Sequence, residues 1–130
     1  MQLTRETSTA HIIRACERGR VRIGETWYAG HLIVGRDRIL EDWAPPPPAQ
    51  WTFEDLSLAL SLRPEILLLG AGPRDVVPDP ELMAALARAR VGLEFMTTPA
   101  ACRTYNVLAH EGRIVVAALY NPADDSSPPQ

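Results

Sequence analysis

The second half of the chain alternates between two hydrophobic periods, and this order limits the fold more than any other feature of the sequence. The run EILLLG is continuously apolar and typical of a strand that is covered on both faces, RIVVAALY is expected to be another buried strand, and VGLEFM between them is also expected to be a strand. Between them lie two segments with helical spacing, which begin at Asp79-Pro80 and Thr98-Pro99. An N-cap residue followed by proline is a common helix start, and Gly112 is placed to end the second helix. The order β-α-β-α-β predicts parallel strands joined by right-handed crossovers.

The first forty or so residues have a different pattern. Short runs rich in Ile, Val, Trp and Tyr are separated by single glycines, as in ERGR and VGRDR, and this pattern predicts an antiparallel meander. Four prolines at residues 45–48 then predict an extended connector, with Trp43 and Trp51 packed against it. A helix is expected from Thr52 to just before Pro64.

Together these patterns predict an α/β fold. We expect a single three-layer domain with a mixed sheet, in which the parallel C-terminal unit is extended or covered by the N-terminal antiparallel meander. The length of 130 residues fits one hydrophobic core. The domain is expected to occupy residues 1–122, and residues 123–130 are expected to form a flexible tail because the sequence NPADDSSPPQ is rich in proline and polar residues.

Charge and hydropathy argue against several classes of protein. A formal net charge of -3 gives no basic footprint for nucleic acid, and no apolar run reaches the roughly 18 residues that a transmembrane segment needs. The first residues lack the pattern of a signal peptide or presequence, so we expect a cytoplasmic protein. The high content of alanine, arginine and proline suggests a bacterial source. The histidines and cysteines show no metal-ligand spacing, and we expect neither a metal nor a cofactor.

The sequence contains two cysteines, Cys16 and Cys102, which lie far apart. This number and spacing predict two free thiols. Cys102 lies near a predicted helix N-terminus, but His110 is two turns away and about 80° around that helix. We therefore predict that Cys102 is a small core residue, and we assign no catalytic residue.

Helical spacing divides the helix expected at residues 99–111 into two sides. The side that faces the sheet is expected to contain Ala101, Tyr105, Leu108 and Ala109, with Cys102 beside them. The outer side is expected to contain Arg103, Val107 and His110. Because an apolar residue between positive groups suits a docking surface, these three are candidate partner-binding residues.

A second candidate site is the loop GAGPRD, which follows the first buried strand. Ligands of open α/β sheets usually bind at this end of the strands. Gly70 and Gly72 would let a ligand approach the backbone, Arg74 would hold an anion, and Thr98 and Asn106 are expected at the same edge. The motif is weak, because it lacks both the third glycine of a dinucleotide fingerprint and the lysine of a P-loop.

The segments RPEILLLGAG and PDPELMAALARARVGLEFMTTPAACRTYNVLAHEGRIVVAAL, with the tryptophan-containing meander before them, closely resemble a small family of uncharacterised proteins. That family includes the mitochondrial respiratory complex I assembly factor 3. The resemblance covers most of the chain, from about Thr9 to Tyr120. It implies a single α/β domain with a β-rich N-terminal part and no established enzyme activity. Its best-studied relatives help to assemble NADH:ubiquinone oxidoreductase, and the mitochondrial members have a presequence that this sequence lacks.

Two functions therefore compete. The one we favour is a non-catalytic protein-binding module. In keeping with the resemblance, this module would be an assembly factor for respiratory complex I. Its partners would be respiratory-chain assembly proteins, and it would associate peripherally with membrane complexes. The alternative is a small-ligand domain for an anion or nucleotide, or an unrecognised enzyme, with its pocket at residues 70–74. An exposed edge strand in the meander would also permit a homodimer.

Overall fold

The structure, a computed structural model, describes residues 11–123. Residues 1–10, and residues 124–130 of the predicted tail, lie outside the described residues. The strands are β1 (Ile13–Glu17), β2 (Arg20–Ile23), β3 (Thr26–Ala29), β4 (Leu32–Val34), β5 (Ile39–Leu40), β6 (Ile66–Gly70), β7 (Gly92–Met96) and β8 (Val115–Leu119). The helices are α1 (Ser57–Leu60), α2 (Pro80–Arg88) and α3 (Thr98–His110). In the described part of the chain, no helix has both the length and the apolar character needed to cross a membrane.

A five-stranded mixed sheet with strand order β5-β4-β8-β6-β7 organises the fold. β6 pairs in parallel with both β7 and β8, as the predicted β-α-β-α-β order requires. β4 pairs antiparallel with β8 and with β5. The predicted α/β fold with a mixed sheet is confirmed.

The predicted meander divides between two sheets. β1, β2 and β3 form a separate antiparallel sheet, whereas β4 and β5 extend the main sheet. All three residues of β4 are apolar and buried, while β2 alternates between charged residues and the buried Val21 and Ile23. A strand that is apolar on both faces can lie inside a sheet that is covered on both sides. A strand in which charged and apolar residues alternate has only one face for the core, so it packs over such a sheet as part of its cover.

Two apolar clusters on opposite faces of the main sheet produce three layers. On one face, Leu68 packs in a cluster with Tyr105 of α3 and with the buried residues of β2. On the other face, Leu67 packs in a cluster with Leu86 of α2 and with Trp51 from the proline-rich connector. Successive side chains of a strand point to opposite faces, so the continuous apolar run of β6 supplies both clusters.

The helix predicted between Thr52 and Pro64 is much shorter than expected. The chain forms a 3-10 turn at Glu54–Leu56 and then only the single turn of α1. At its start, the carboxylate of Asp55 accepts hydrogen bonds from the amide and the hydroxyl of Thr52, at 2.8 and 3.0 Å. At its end, Arg63, which precedes Pro64, has a left-handed φ of 55°, a conformation in which helices commonly end.

His31 links the chain before β4 to the chain after β8. The backbone amide of Asn121 donates a hydrogen bond to His31 Nδ1 at 2.8 Å, and the imidazole stacks on Tyr120 with ring centroids 4.5 Å apart. Burial lowers the pKa of His31 below its usual value. Protonation of Nδ1 would also remove the acceptor that Asn121 uses.

We expect His31 to make the stability of the protein depend on pH. Because its pKa is lower in the folded state, the unfolded state binds more protons, and the free energy of unfolding falls as the pH drops through the unfolded pKa of about 6.5. Urea denaturation should show a larger loss between pH 7 and pH 5 in the wild type than in His31→Gln. The exposed residue His110 provides the control, and His110→Gln should keep the wild-type loss. Equal pH dependence in the wild type and His31→Gln would contradict this prediction.

Candidate partner-binding site

Helix α3 has the two sides that its sequence predicts. Ala101, Cys102 and Tyr105 are buried, and Leu108 and Ala109 are half-buried against the same cluster. The opposite side exposes Arg103, Val107 and His110. Val107 is 57% exposed, so an apolar side chain lies on the outer side of the helix between Arg103 and His110.

The start of α3 differs by one residue from the prediction. Thr97, rather than Thr98, is the N-cap, and its hydroxyl accepts a hydrogen bond from the amide of Ala100 at 3.3 Å. Thr98 is only 1% exposed. Its hydroxyl donates to the carbonyl of Tyr120 at 2.6 Å and accepts from the amide of Gly72 at 2.7 Å. Thr98 therefore joins the ends of β6 and β8 to α3.

The loop after β6 is packed tightly against this threonine. A Cβ atom added to Gly70 would lie 3.0 Å from the Cα of Thr98, and Gly72 has a φ of 97°. The amide of Ala71 donates to the carbonyl of Met96 at 2.8 Å. The close packing at Gly70 and the positive φ of Gly72 explain why these positions are glycines. The amides of residues 71 and 72 already donate hydrogen bonds within the fold.

Of the five predicted ligand-binding residues, the structure brings Gly70, Gly72 and Thr98 together. Arg74 is exposed in the loop that follows them. Asn106 lies two turns further along α3 and contacts a different element: its side chain accepts from the amide of Ile13 at 2.9 Å and donates to the Ile13 carbonyl at 2.7 Å. Asn106 thereby holds β1 against α3.

A cleft of about 510 Å³ opens beside the C-terminal half of α3. Its buried and half-buried floor consists of Ile12, Tyr105, Ala109 and Val115. Charged and imidazole groups surround this floor: His11, Arg36, His110, Glu111 and Arg113. Asn106 and Val107 complete the lining, so the cleft joins one predicted ligand-binding residue to two predicted partner-binding residues.

The polar groups of the cleft are held by the fold. His11 Nδ1 donates a hydrogen bond to the carbonyl of Gly35 at 2.7 Å, which leaves its Nε2 for another partner. Burial raises the pKa of Tyr105 to about 12, so its phenol stays protonated at neutral pH. The cleft can therefore offer hydrogen-bond donors and positive charge above an apolar floor.

Sequence reasoning missed the residues that the cleft takes from outside α3. His11, Arg36 and Arg113 come from three separate places in the chain, and no motif or spacing connects them. Within residues 11–123, no three metal-ligating side chains come together.

The sequence and fold match a known family. Residues 13–120 match the family described as protein of unknown function (DUF498/DUF598). The chain belongs to this family. A Bordetella pertussis protein, solved by NMR and described as a Mth938-like domain, superimposes on it with a TM-score of 0.77 at 28% identity, covering 97% of this chain and 94% of that one. The chain therefore has the fold of that Mth938-like domain.

Two relatives that are 40% identical to this chain come from a bacterium and a mammal. The 13 kDa major membrane protein of Francisella tularensis subsp. holarctica is 40% identical over 96 residues, which cover 73% of this chain and 76% of that protein. The NADH dehydrogenase (ubiquinone) 1 alpha subcomplex assembly factor 3 of Bos taurus is 40% identical over 103 residues, which cover 70% of this chain and 56% of that protein. The chain thus spans little more than half of the bovine relative. The resemblance to a family that includes this assembly factor is confirmed.

Proposed function

We propose that the protein is a non-catalytic binding module that docks a segment of a partner protein on the outer side of α3. The cleft beside α3 supports this proposal, because it combines an apolar floor with polar and charged groups along the exposed side of α3. Because relatives are named as assembly factors of NADH dehydrogenase, we place this module in the assembly of respiratory complex I. The proposed setting is the cytoplasm of a bacterium, with peripheral association with membrane complexes.

The charged groups of the cleft indicate which kind of partner segment would bind there. Arg36 and Arg113 flank it, His11 and His110 add imidazoles, and Glu111 is the one carboxylate among the described residues of its lining. Arg113 is already ion-paired with Glu65 at 3.3 Å, so Arg36 is the arginine with which we expect a partner to pair. The chain as a whole has a formal net charge of -3, so the two arginines at the cleft are a local feature. We infer that it takes a segment in which an apolar side chain lies next to an aspartate or glutamate. The apolar side chain would contact the floor, and the carboxylate would pair with Arg36.

Replacing Val107 with aspartate tests this surface. Aspartate and valine have similar helix propensities, and an exposed position tolerates the change within about 0.5 kcal/mol of stability. A carboxylate at this place would repel an acidic partner and remove an apolar contact, so binding should weaken by about 1 kcal/mol or more, roughly fivefold or more. Recovery of complex I subunits with the tagged protein, and the amount of assembled complex I in the source organism, should both fall.

Val77→Asp is the matched control. Val77 is 87% exposed in the loop before α2, away from the cleft, so the same change of residue should leave both measurements unaltered. Unchanged recovery of complex I subunits by Val107→Asp, together with unchanged assembly, would eliminate α3 as the docking surface.

The small-ligand alternative stays a prediction. Its test is a thermal-shift screen of nucleotides and small acids, in which a ligand at 100 times its Kd stabilises the protein by about 2.7 kcal/mol. A stabilising ligand whose effect disappears in Arg74→Ala would favour the loop at residues 70–74 over the cleft.

A further inference from the structure

Cys16 and Cys102 lie far apart in the sequence but meet in the fold. Both are free thiols, both pack in the apolar cluster between β1 and α3, and each thiol shifts the pKa of the other, chiefly through hydrogen bonding. The two residues also line one surface crevice of about 210 Å³, together with Arg14, Arg103 and Asn106. This crevice lies between β1 and α3 and is separate from the loop at residues 70–74.

A β-bulge in β1 produces the contact. Ile13 pairs with Ile23 of β2, but the register shifts before Ala15, so that Cys16 pairs with the buried Val21. In a regular strand, residues three apart point to opposite faces. The extra residue turns Cys16 to the same face as Ile13, and this face packs against α3.

The surroundings divide the two thiols into an exposed and a buried partner. Cys16 is half-buried, whereas Cys102 is 4% exposed. The hydrogen bond from Cys102 and the charge of Arg103 lower the pKa of Cys16, and burial and Glu17 oppose them. The same hydrogen bond and burial raise the pKa of Cys102. Cys16 is therefore the better nucleophile, and Cys102 is placed to attack a sulfur bonded to it.

We propose that Cys16 and Cys102 are a redox-active dithiol that forms a reversible disulfide between β1 and α3 by exchange with a low-molecular-weight disulfide. In the first step, the Cys16 thiolate attacks glutathione disulfide, a mixed disulfide forms and one glutathione thiolate leaves. In the second step, Cys102 loses its proton to solvent and attacks Cys16 Sγ. The protein disulfide forms, and the second glutathione leaves as a thiolate. The protein loses two electrons and two protons, and glutathione disulfide is reduced to two glutathiones.

The test is oxidation of the full chain with glutathione disulfide under native conditions. Intact mass spectrometry should show the loss of two hydrogens per chain, thiol titration should fall from two thiols to none, and excess reduced glutathione should restore both. Peptide mapping without reductant should recover Cys16 linked to Cys102.

Single serine variants separate the two roles. Cys102→Ser should stop at the first step and accumulate one glutathione on Cys16, whereas Cys16→Ser should leave Cys102 reduced. Arg103→Gln should move the pH profile of Cys16 alkylation to higher pH, because it removes a nearby positive charge. Stable glutathionylation of wild-type Cys16 without the intramolecular disulfide, or oxidation of Cys102 at an equal rate in Cys16→Ser, would overturn the proposal.

Discussion

Replacing Trp51 with alanine is expected to lower the free energy of unfolding by about 4 kcal/mol, since buried tryptophans cost about 3–5 kcal/mol when truncated. Trp51 is 1% exposed, and its indole nitrogen donates a hydrogen bond to the carbonyl of Pro46 at 2.9 Å. Its ring lies 5.7 Å from Trp43 and 6.0 Å from Phe95, measured between centroids. The substitution therefore leaves a cavity where the connector meets the main sheet and also removes a hydrogen bond.

Urea denaturation followed by circular dichroism measures this loss. With an m-value of about 2 kcal/mol/M, the midpoint should fall by roughly 2 M. Trp27→Ala is the control, because Trp27 is 37% exposed and has the Arg20 guanidinium over its ring at 3.8 Å. An exposed contact of this kind is worth about 0.5–1 kcal/mol. Similar midpoints for the two alanine variants would mean that the tryptophan next to the proline-rich connector is not part of the core.

Replacing Thr98 with valine is expected to cost about 3 kcal/mol of stability. Valine has nearly the same shape, but it cannot accept from the amide of Gly72 or donate to the carbonyl of Tyr120. Each buried backbone group left without a partner costs about 1–3 kcal/mol. The loss should appear as a lower denaturation midpoint, without the cavity that an alanine would leave.

Thr104→Val is the matched control on the same helix. Thr104 is half-buried, and its substitution should change stability by about 0.5 kcal/mol or less. This pair of variants also distinguishes a structural role of Thr98 from a role in ligand binding. If the Thr98→Val protein is as stable as the wild type but no longer binds a ligand found by thermal shift, Thr98 belongs to a binding site, and the prediction of a structural role is wrong.

The sequence predicted local structure well where neighbouring residues set it. The strands β6, β7 and β8 and the outer side of α3 all appear as expected. The prediction was wrong about the length of the helix after Thr52: its first turn is 3-10 and its α-helical part ends at Leu60, and apolar spacing alone shows neither. It was also wrong by one position at the start of α3. Thr97 and Thr98 are both good caps, and only the packing of Thr98 against Tyr120 decides between them.

The sequence by itself determined the order of strands and helices and the residues that α3 exposes. Periodicity depends on residues within a few positions of one another, so the sequence itself contains that information. The tertiary structure alone decided that β1–β3 leave the main sheet, that His11, Arg36 and Arg113 meet at one cleft, and that a bulge turns Cys16 toward Cys102. These arrangements join distant parts of the chain. They are set by which apolar faces can be buried together, and no local pattern contains that choice.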